Sequence, residues 1–391
     1  MKKLVPPKPP KKKISPSWHL PNRGYLIAFI FVVVILSIVL LKLKDVYTSI
    51  YTPSGAPQIT QPAKNKDIYT FLLMGYAGGN HDGPYLTDTM MVVSLDTKKK
   101  TVLLVSIPRD LWVKLPTRSG RDLHTKINTV YQREIFANET TDLDPVYLGN
   151  KEDATFTKYV VSEVLGIPID NYAAIDFAGF ITTIDLLGGV DIQVPKSFDD
   201  PEYPIEGKEN DICGQNVGDL PRLIEIATIS ALQAFPCRYE ILHFDQGPNH
   251  MDGVLALKFV RSRHSKQDGT DFGRAERQQL LLEGVKNKIL SISFIPKIIP
   301  FIDEMKKYVK TDLEILQIQK LIQESEKQKL YTVIPLVLSD KNYVDVTQSE
   351  DGQYILIPKS GVDNWDVLHK EIKRLTEDIG NTPTPPQKPS S

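Results

Sequence analysis

Gly24 to Leu41 reads GYLIAFIFVVVILSIVLL, eighteen residues without a charge, bounded by Arg23 and Lys42. About 20 apolar residues span a bilayer core, so the run is just long enough to cross as a helix that satisfies its own backbone. It is apolar all round and sits beside a basic arm, which argues against a buried core helix. A cleaved signal peptide is the alternative. The apolar run is longer than a usual signal core, the segment before it is long and Pro-rich, and no A-x-A site follows. The reading is one uncleaved transmembrane helix over residues 24–43.

Residues 1–23 carry Lys2, Lys3, Lys8, Lys11, Lys12, Lys13 and Arg23 and no acid. The positive-inside bias keeps this Pro-rich arm in the cytoplasm and places everything after the helix outside. The chain's formal net charge of -1 therefore leaves the remainder acidic. An anion site there must be a local cluster of cations, not a global basic field. Residues 44–66 read as a polar, Pro-bearing linker, and residues 376–391, ending NTPTPPQKPSS, as a disordered tail. Hydrophobic residues make up 41% of the 391, enough for a real core in between. The basic residues are mixed with acids and lack an aromatic stripe, so a nucleic-acid partner is not expected.

Apolar runs at Ile68–Met74, Thr89–Leu95 and Thr101–Ile107 predict strands, the last two a hairpin across Asp96 to Lys100. Helical spacing at Phe156–Leu165 ends at Gly166. Strands are expected at Tyr172–Asp176, Val190–Val194 and Tyr239–Phe244. Helices are expected at Phe177–Leu187, Arg222–Phe235, Val254–Arg263 and Phe272–Leu290. Strands interleaved with helices, one hairpin among them, imply an α/β domain over residues 67–330 with a mixed central sheet flanked by helices. Residues 331–375 complete it or append to it. No internal repeat is present.

The stretch RSRHSKQDGTDFGRAERQ holds Arg261, Arg263, Asp271, Arg274, Arg277 and Gln278. On a helix beginning near Asp271, positions 271, 274 and 278 share a face. Arg261 and Arg263 end the preceding helix, so two helix ends bring guanidinium groups towards one anion. Their forks suit the paired oxygens of a pyrophosphate. A solvated charged face is the competing reading. Asp88 opens one hairpin strand, Arg109 follows the other, and Lys126-Ile127-Asn128 is a polar island; each is weak alone.

Taken in order, LTDTMMVVSLD, VSIPRDLWV, TKIN, DFAGFITTIDLLGGVDIQVP and HMDGVLALKFVRSRHS with DFGRAERQQ resemble the LytR-CpsA-Psr family over residues 67–290. The resemblance implies a cell-envelope phosphotransferase. Such an enzyme moves an anionic glycopolymer from a polyprenyl-pyrophosphate carrier onto a peptidoglycan hydroxyl, with Mg2+ at the pyrophosphate. It implies Asp88 as a magnesium ligand. Arg109, Lys126, Arg261, Arg263 and Arg274 then bind pyrophosphate oxygens, with Asp271 and Gln278 orienting them and Arg109 nearest the transferring phosphorus. The family holds the lipid tail in an apolar tunnel, for which Phe156–Leu165, Phe177–Leu187 and Leu223–Phe235 are the candidate walls; ordinary core helices are the other reading.

The chain departs from the family pattern at Tyr76 and Leu86, where many members carry a second metal-binding Asp and an Arg. Within GYAGGNHDGPYL, Asp82 or His81 is the candidate replacement. The segment 199–238 looks like an insertion and contains Cys213 and Cys237. In an exported domain these two form a disulfide closing a loop of ~24 residues, contributing roughly 3 kcal/mol; two separate buried thiols are the alternative. A pyrophosphate hydrolase and a non-catalytic envelope-binding or regulatory protein stay open beside the transferase.

Overall fold

The computed structural model describes residues 67–79, 83–149, 154–267, 269–289, 307–313 and 331–377. The expected membrane helix, basic arm and linker lie outside these residues, as do His81 and Asp82. Among the described residues, no helix is long and apolar enough to cross a membrane.

In chain order the strands are β1 (Ile68–Tyr76), β2 (Thr87–Asp96), β3 (Thr101–Ile107), β4 (Trp112–Leu115), β5 (Leu123–Lys126), β6 (Asn171–Asp176), β7 (Val190–Val194), β8 (Phe198–Pro204), β9 (Tyr239–Phe244), β10 (Gly247–Met251), β11 (Val309–Thr311), β12 (Thr332–Val337), β13 (Val344–Gln348) and β14 (Tyr354–Pro358). The helices are α1 (Val130–Ile135), α2 (Thr155–Leu165), α3 (Phe177–Leu186), α4 (Leu220–Ile229), α5 (Ala231–Ala234), α6 (Gly253–Arg261), α7 (Asp271–Ile289) and α8 (Asp366–Glu377).

Six strands form the central sheet in the order β11-β6-β1-β2-β3-β12. The β2–β3 hairpin is antiparallel, whereas β1 pairs with β6, and β3 with β12, in parallel. The sheet is thus mixed, as the sequence predicts. The segment after residue 330 supplies its edge strand β12, and so completes the domain. The helix α8 runs to Glu377, two residues into the expected tail, and buries Leu368 and Ile372 in the same core as α2.

Alternation along the strands separates two environments. Leu72, Met74, Tyr76, Met90, Val92, Tyr172 and Ala174 enter a core completed by α1, α2 and the C-terminal segment. Their neighbours Leu73, Gly75, Thr89, Met91, Ala173 and Ile175 line a cavity on the other side. A second core joins α3, α6 and α7 to β7–β10 and centres on Phe198, Phe244 and Phe259.

Polar groups buried in the first core fix its helices. The N-terminus of α2 has no cap of its own. Instead Glu134 of α1 accepts from the Phe156 amide at 2.8 Å, the Thr157 amide at 3.0 Å and the Thr157 hydroxyl at 2.7 Å. A carboxylate there satisfies orphan amides and meets the positive end of the helix dipole. Gly166, at φ 68°, closes α2 as the sequence predicts.

Two expected helices end differently. Arg222–Phe235 is interrupted at Ser230, which is extended (φ −151°, ψ 105°) and caps α5 by accepting from the Gln233 amide. The helix α6 stops at Arg261, with Ser262 already non-helical. The segment 199–238 begins inside β8, which pairs with β9, so its start is framework and not an inserted loop. Cys213 and Cys237 are joined by a disulfide across 24 residues. Reduction is expected to lower the unfolding free energy by about 3 kcal/mol, measured as the shift in urea unfolding with and without reductant.

Candidate functional site

Strand-end geometry positions the first two candidates. In the β1–β2 ladder Gly75 faces Thr89 and Tyr76 faces Thr87, which leaves Asp88 as the unpaired residue of a bulge. A bulge re-aims a side chain next to a site. A Cβ on Gly75 would lie 3.3 Å from the Thr89 Cβ, so the close approach of the strands here suits glycine. Arg109 follows β3 by two residues, and its Nη1 donates to Asp88 Oδ1 at 2.7 Å. Arg109 Nε also lies 3.5 Å from Asp110 Oδ2, and Lys126 Nζ lies 2.8 Å from Asp110 Oδ1. Cations and carboxylates thus alternate from Lys126 through Asp110 and Arg109 to Asp88. The backbone locks this row: the Asn128 amide donates to the Arg109 carbonyl at 3.2 Å, and the Thr87 hydroxyl to the Asn128 carbonyl at 3.3 Å.

The second group comes from the α6–α7 junction. Arg261 places its guanidinium 4.4 Å from the Phe177 ring centre and 6.0 Å from that of Tyr203. Burial pushes the Tyr203 hydroxyl above its ordinary range, against the pull of Arg261, so the ring meets the cation as a neutral aromatic. Arg274 is 7% exposed and Gln278 donates to the Thr89 hydroxyl at 2.8 Å, which ties α7 to β2. One turn away, Arg277 points elsewhere. It is 2% exposed, stacks over Phe198, and donates to the carbonyls of Phe259 and Ser262. At i and i+3 the two arginines are neighbours on α7, and it is the direction of their side chains that separates them, Arg274 lining the cavity and Arg277 reaching the end of α6.

Asp88, Arg109, Arg261, Arg263, Arg274 and Gln278 all line one cavity of about 510 Å³. The rest of its lining is mainly apolar, with Leu73, Met91, Ala173, Ile175, Phe177, Phe180, Leu257, Val260, Leu281, Leu282 and Val309. An apolar chamber with cations along one side suits a molecule with a polyanionic head and a hydrocarbon tail. Of the expected tunnel walls only α3 takes part. Phe156–Leu165 is packed into the first core and lines none of the cavity, and neither does Leu223–Phe235. The walls are instead α6 and α7, because their apolar stripes face the sheet while α2 lies against its opposite face.

Lys126 stands behind Arg109, paired with Asp110, and is not among the cavity-lining residues. Asp271 opens α7, and its side chain lies outside the described residues, as does Asp82. At the position of the family's second carboxylate, Tyr76 is 6% exposed and packs against Tyr85 and Tyr131. Two further carboxylates line the cavity, neither singled out by the sequence. Asp176 caps α3, accepting from the Gly179 amide at 2.7 Å. Asp200 of β8 is fully buried and accepts from the Ser262 hydroxyl at 2.7 Å and the Arg263, His264 and Glu202 amides at 2.9, 3.2 and 3.1 Å. Nothing local to FDDPEYP marks Asp200, since its partners Ser262, Arg263 and His264 lie some sixty residues away.

Burial pushes the Asp200 carboxyl up, but the Ser262 hydroxyl and the three amides outweigh it and hold the group below the usual carboxylate range. A depressed folded value stabilises the fold fully above the unfolded value of about 3.9, and that stabilisation is lost as pH falls through the folded value. The stability difference between wild type and Asp200→Asn is therefore expected to be constant near neutral pH and to shrink on acidification below pH ~4, measured by urea unfolding across that range.

The model of the LytR_cpsA_psr family matches residues 40–372. TagV of Bacillus subtilis, named a polyisoprenyl-teichoic acid–peptidoglycan teichoic acid transferase, is 29% identical over 274 residues, covering 68% of this chain. TagU of Oceanobacillus iheyensis, of the same name, is 28% identical over 271 residues, covering 69% of this chain and 67% of that protein. The matched region spans only 56% of the length of TagV. The crystal structure of B. subtilis TagV superposes with a TM-score of 0.52 at 26% identity, covering 82% of this chain and all of that one. TagT bound to LI-WTA superposes at 0.51 with 20% identity, covering 84% of this chain and 97% of that one, which shows a shared fold.

Proposed function

This chain belongs to the LytR-CpsA-Psr family, and we propose that it is a membrane-anchored phosphotransferase that moves an anionic glycopolymer from a polyprenyl-pyrophosphate carrier onto a peptidoglycan hydroxyl. The observation that carries this reading is the pairing of an apolar cavity of about 510 Å³ with Arg109, Arg261, Arg263 and Arg274 on its wall. The activity named for the TagV and TagU relatives agrees with it. The apolar run from Gly24 to Leu41 supplies the anchor, with the N-terminus cytoplasmic and the domain outside. The disulfide suits an oxidising, extracytoplasmic setting.

In this reading the prenyl chain lies against Leu73, Ala173, Phe180 and Leu281, and the pyrophosphate meets the arginines. Guanidinium groups held in place before the substrate arrives stabilise charge that develops on phosphate oxygens without further reorganisation. Arg109 is held by Asp88 and Asp110, and it is the residue assigned to the phosphorus beside the polymer. The peptidoglycan hydroxyl attacks that phosphorus and polyprenyl phosphate departs, so catalysis is chiefly positioning plus electrostatics.

Magnesium is part of the proposal. Asp88 gives one oxygen to Arg109 and leaves the other without a described partner. Magnesium is commonly held by one or two carboxylates plus substrate phosphates, so a lone Asp88 fits. Asp88 would hold the ion, which when bound would neutralise charge developing on the phosphate oxygens.

Two variants test the reading in the full chain, purified in detergent and supplied with a polyprenyl-pyrophosphate glycan and peptidoglycan fragments. Arg109→Ala is expected to lose about 10²–10³-fold in transfer rate, as the loss of one preorganised charge donor does. Glycan phosphate released without transfer would instead assign a hydrolase, and binding without turnover a binding protein. Ala173→Phe is expected to fold and to fill the chamber, weakening binding of the long carrier while leaving inorganic pyrophosphate binding unchanged. Equal carrier affinity in this variant would place the tail elsewhere.

A further inference from the structure

We infer that Asp200 is a positioning residue for the anion site, the group that holds the Ser262–His264 turn so that Arg261 and Arg263 stand at the cavity before the ligand arrives. The inference rests on the reading of the cavity as a pyrophosphate site, and it adds a residue from β8 that touches no reacting atom.

Gathering the arginines carries an electrostatic cost. Arg261, Arg263 and Arg274 approach one chamber, and like charges brought together out of bulk water repel. The helix α6 ends at Arg261, and its last helical hydrogen bond runs from the Ser262 amide to the Lys258 carbonyl, so helical geometry does not fix Arg263 and His264. Asp200 fixes them. It is fully buried, and one of its oxygens, Oδ2, takes the Ser262 hydroxyl and the Arg263 and His264 amides together. The other accepts from Glu202 two residues along its own strand.

Three donors from consecutive residues on one carboxylate oxygen define the path of the turn. In the β8–β9 ladder Asp200 pairs with Leu242, and the register slips immediately after it, between Asp200 and Tyr203, a local irregularity of the kind that re-aims side chains. From the other side, Arg277 holds the carbonyls of Phe259 and Ser262. Carbonyls are thus clamped by a buried cation and amides by a buried anion, and the residues between them carry the site's own charges.

A carboxylate that served only to stabilise the fold would make the same hydrogen bonds, so the test separates head-group binding from tail binding. The full chain in detergent is titrated by calorimetry with farnesyl pyrophosphate and, separately, with farnesol, which has the same tail and no anion. Wild type is expected to bind both. Asp200→Asn keeps the shape, removes the charge and turns one acceptor into a donor. It is expected to bind farnesyl pyrophosphate roughly tenfold more weakly, the loss of one charge-assisted contact, with farnesol affinity unchanged. Ser262→Ala, which removes one donor, is expected to give a smaller shift in the same direction, and serves if Asp200→Asn does not fold. An unchanged farnesyl pyrophosphate affinity in the variants overturns the inference, and so does an equal loss for both ligands, which marks a structural role. Wild type that fails to bind farnesyl pyrophosphate overturns the functional reading itself, a distinct result.

Discussion

The site depends on how positive charges are held beside one another. Four guanidinium groups line a single largely apolar cavity, where the dielectric does less to screen them than water would. Carboxylates make the arrangement tolerable. Asp88 and Asp110 bracket Arg109, Asp110 also takes Lys126, and Asp200 underlies the turn that carries Arg263.

The rest of the fold serves that constraint. The sheet offers opposite faces to two different tasks because its side chains alternate. One face is filled by Leu72, Met74, Val92 and Tyr172 and is closed by α2. The other carries Gly75, Ala173 and similar residues, and the helices α3, α6 and α7 complete a chamber there in place of a filled core. Small residues on the strands leave the space, and apolar helix faces keep it dry. The polar end sits where β2 and β3 begin and finish, since backbone that leaves a ladder there can be bent to aim side chains, as the bulge at Asp88 does.

Much of the fold was legible because its signals are local. Alternating apolar runs predict β1, β2, β3, β6, β7 and β9, and Gly166 and the Gly188-Gly189 pair mark helix ends. The departures also have physical causes. Ser230 prefers capping α5 to continuing α4, and β8 and β10 lie in stretches broken by Pro and Asp whose pairing is decided by distant partners. The α2 helix and the 223–235 segment read as possible tunnel walls because an apolar stripe says that a helix is buried, and does not say against what.

By itself the sequence determined the apolar membrane-length run, the mixed α/β class, the family and the set of cations, since these follow from composition, period and spacing along the chain. Only the tertiary structure decided which cations meet. It turned Arg274 towards the cavity and Arg277 away from it, set Lys126 behind Asp110, and brought Asp200 across some sixty residues to the turn after α6. Arginines that are neighbours on one helix surface can still send their side chains to different partners, and a hydrogen bond between distant segments leaves no trace in either segment alone.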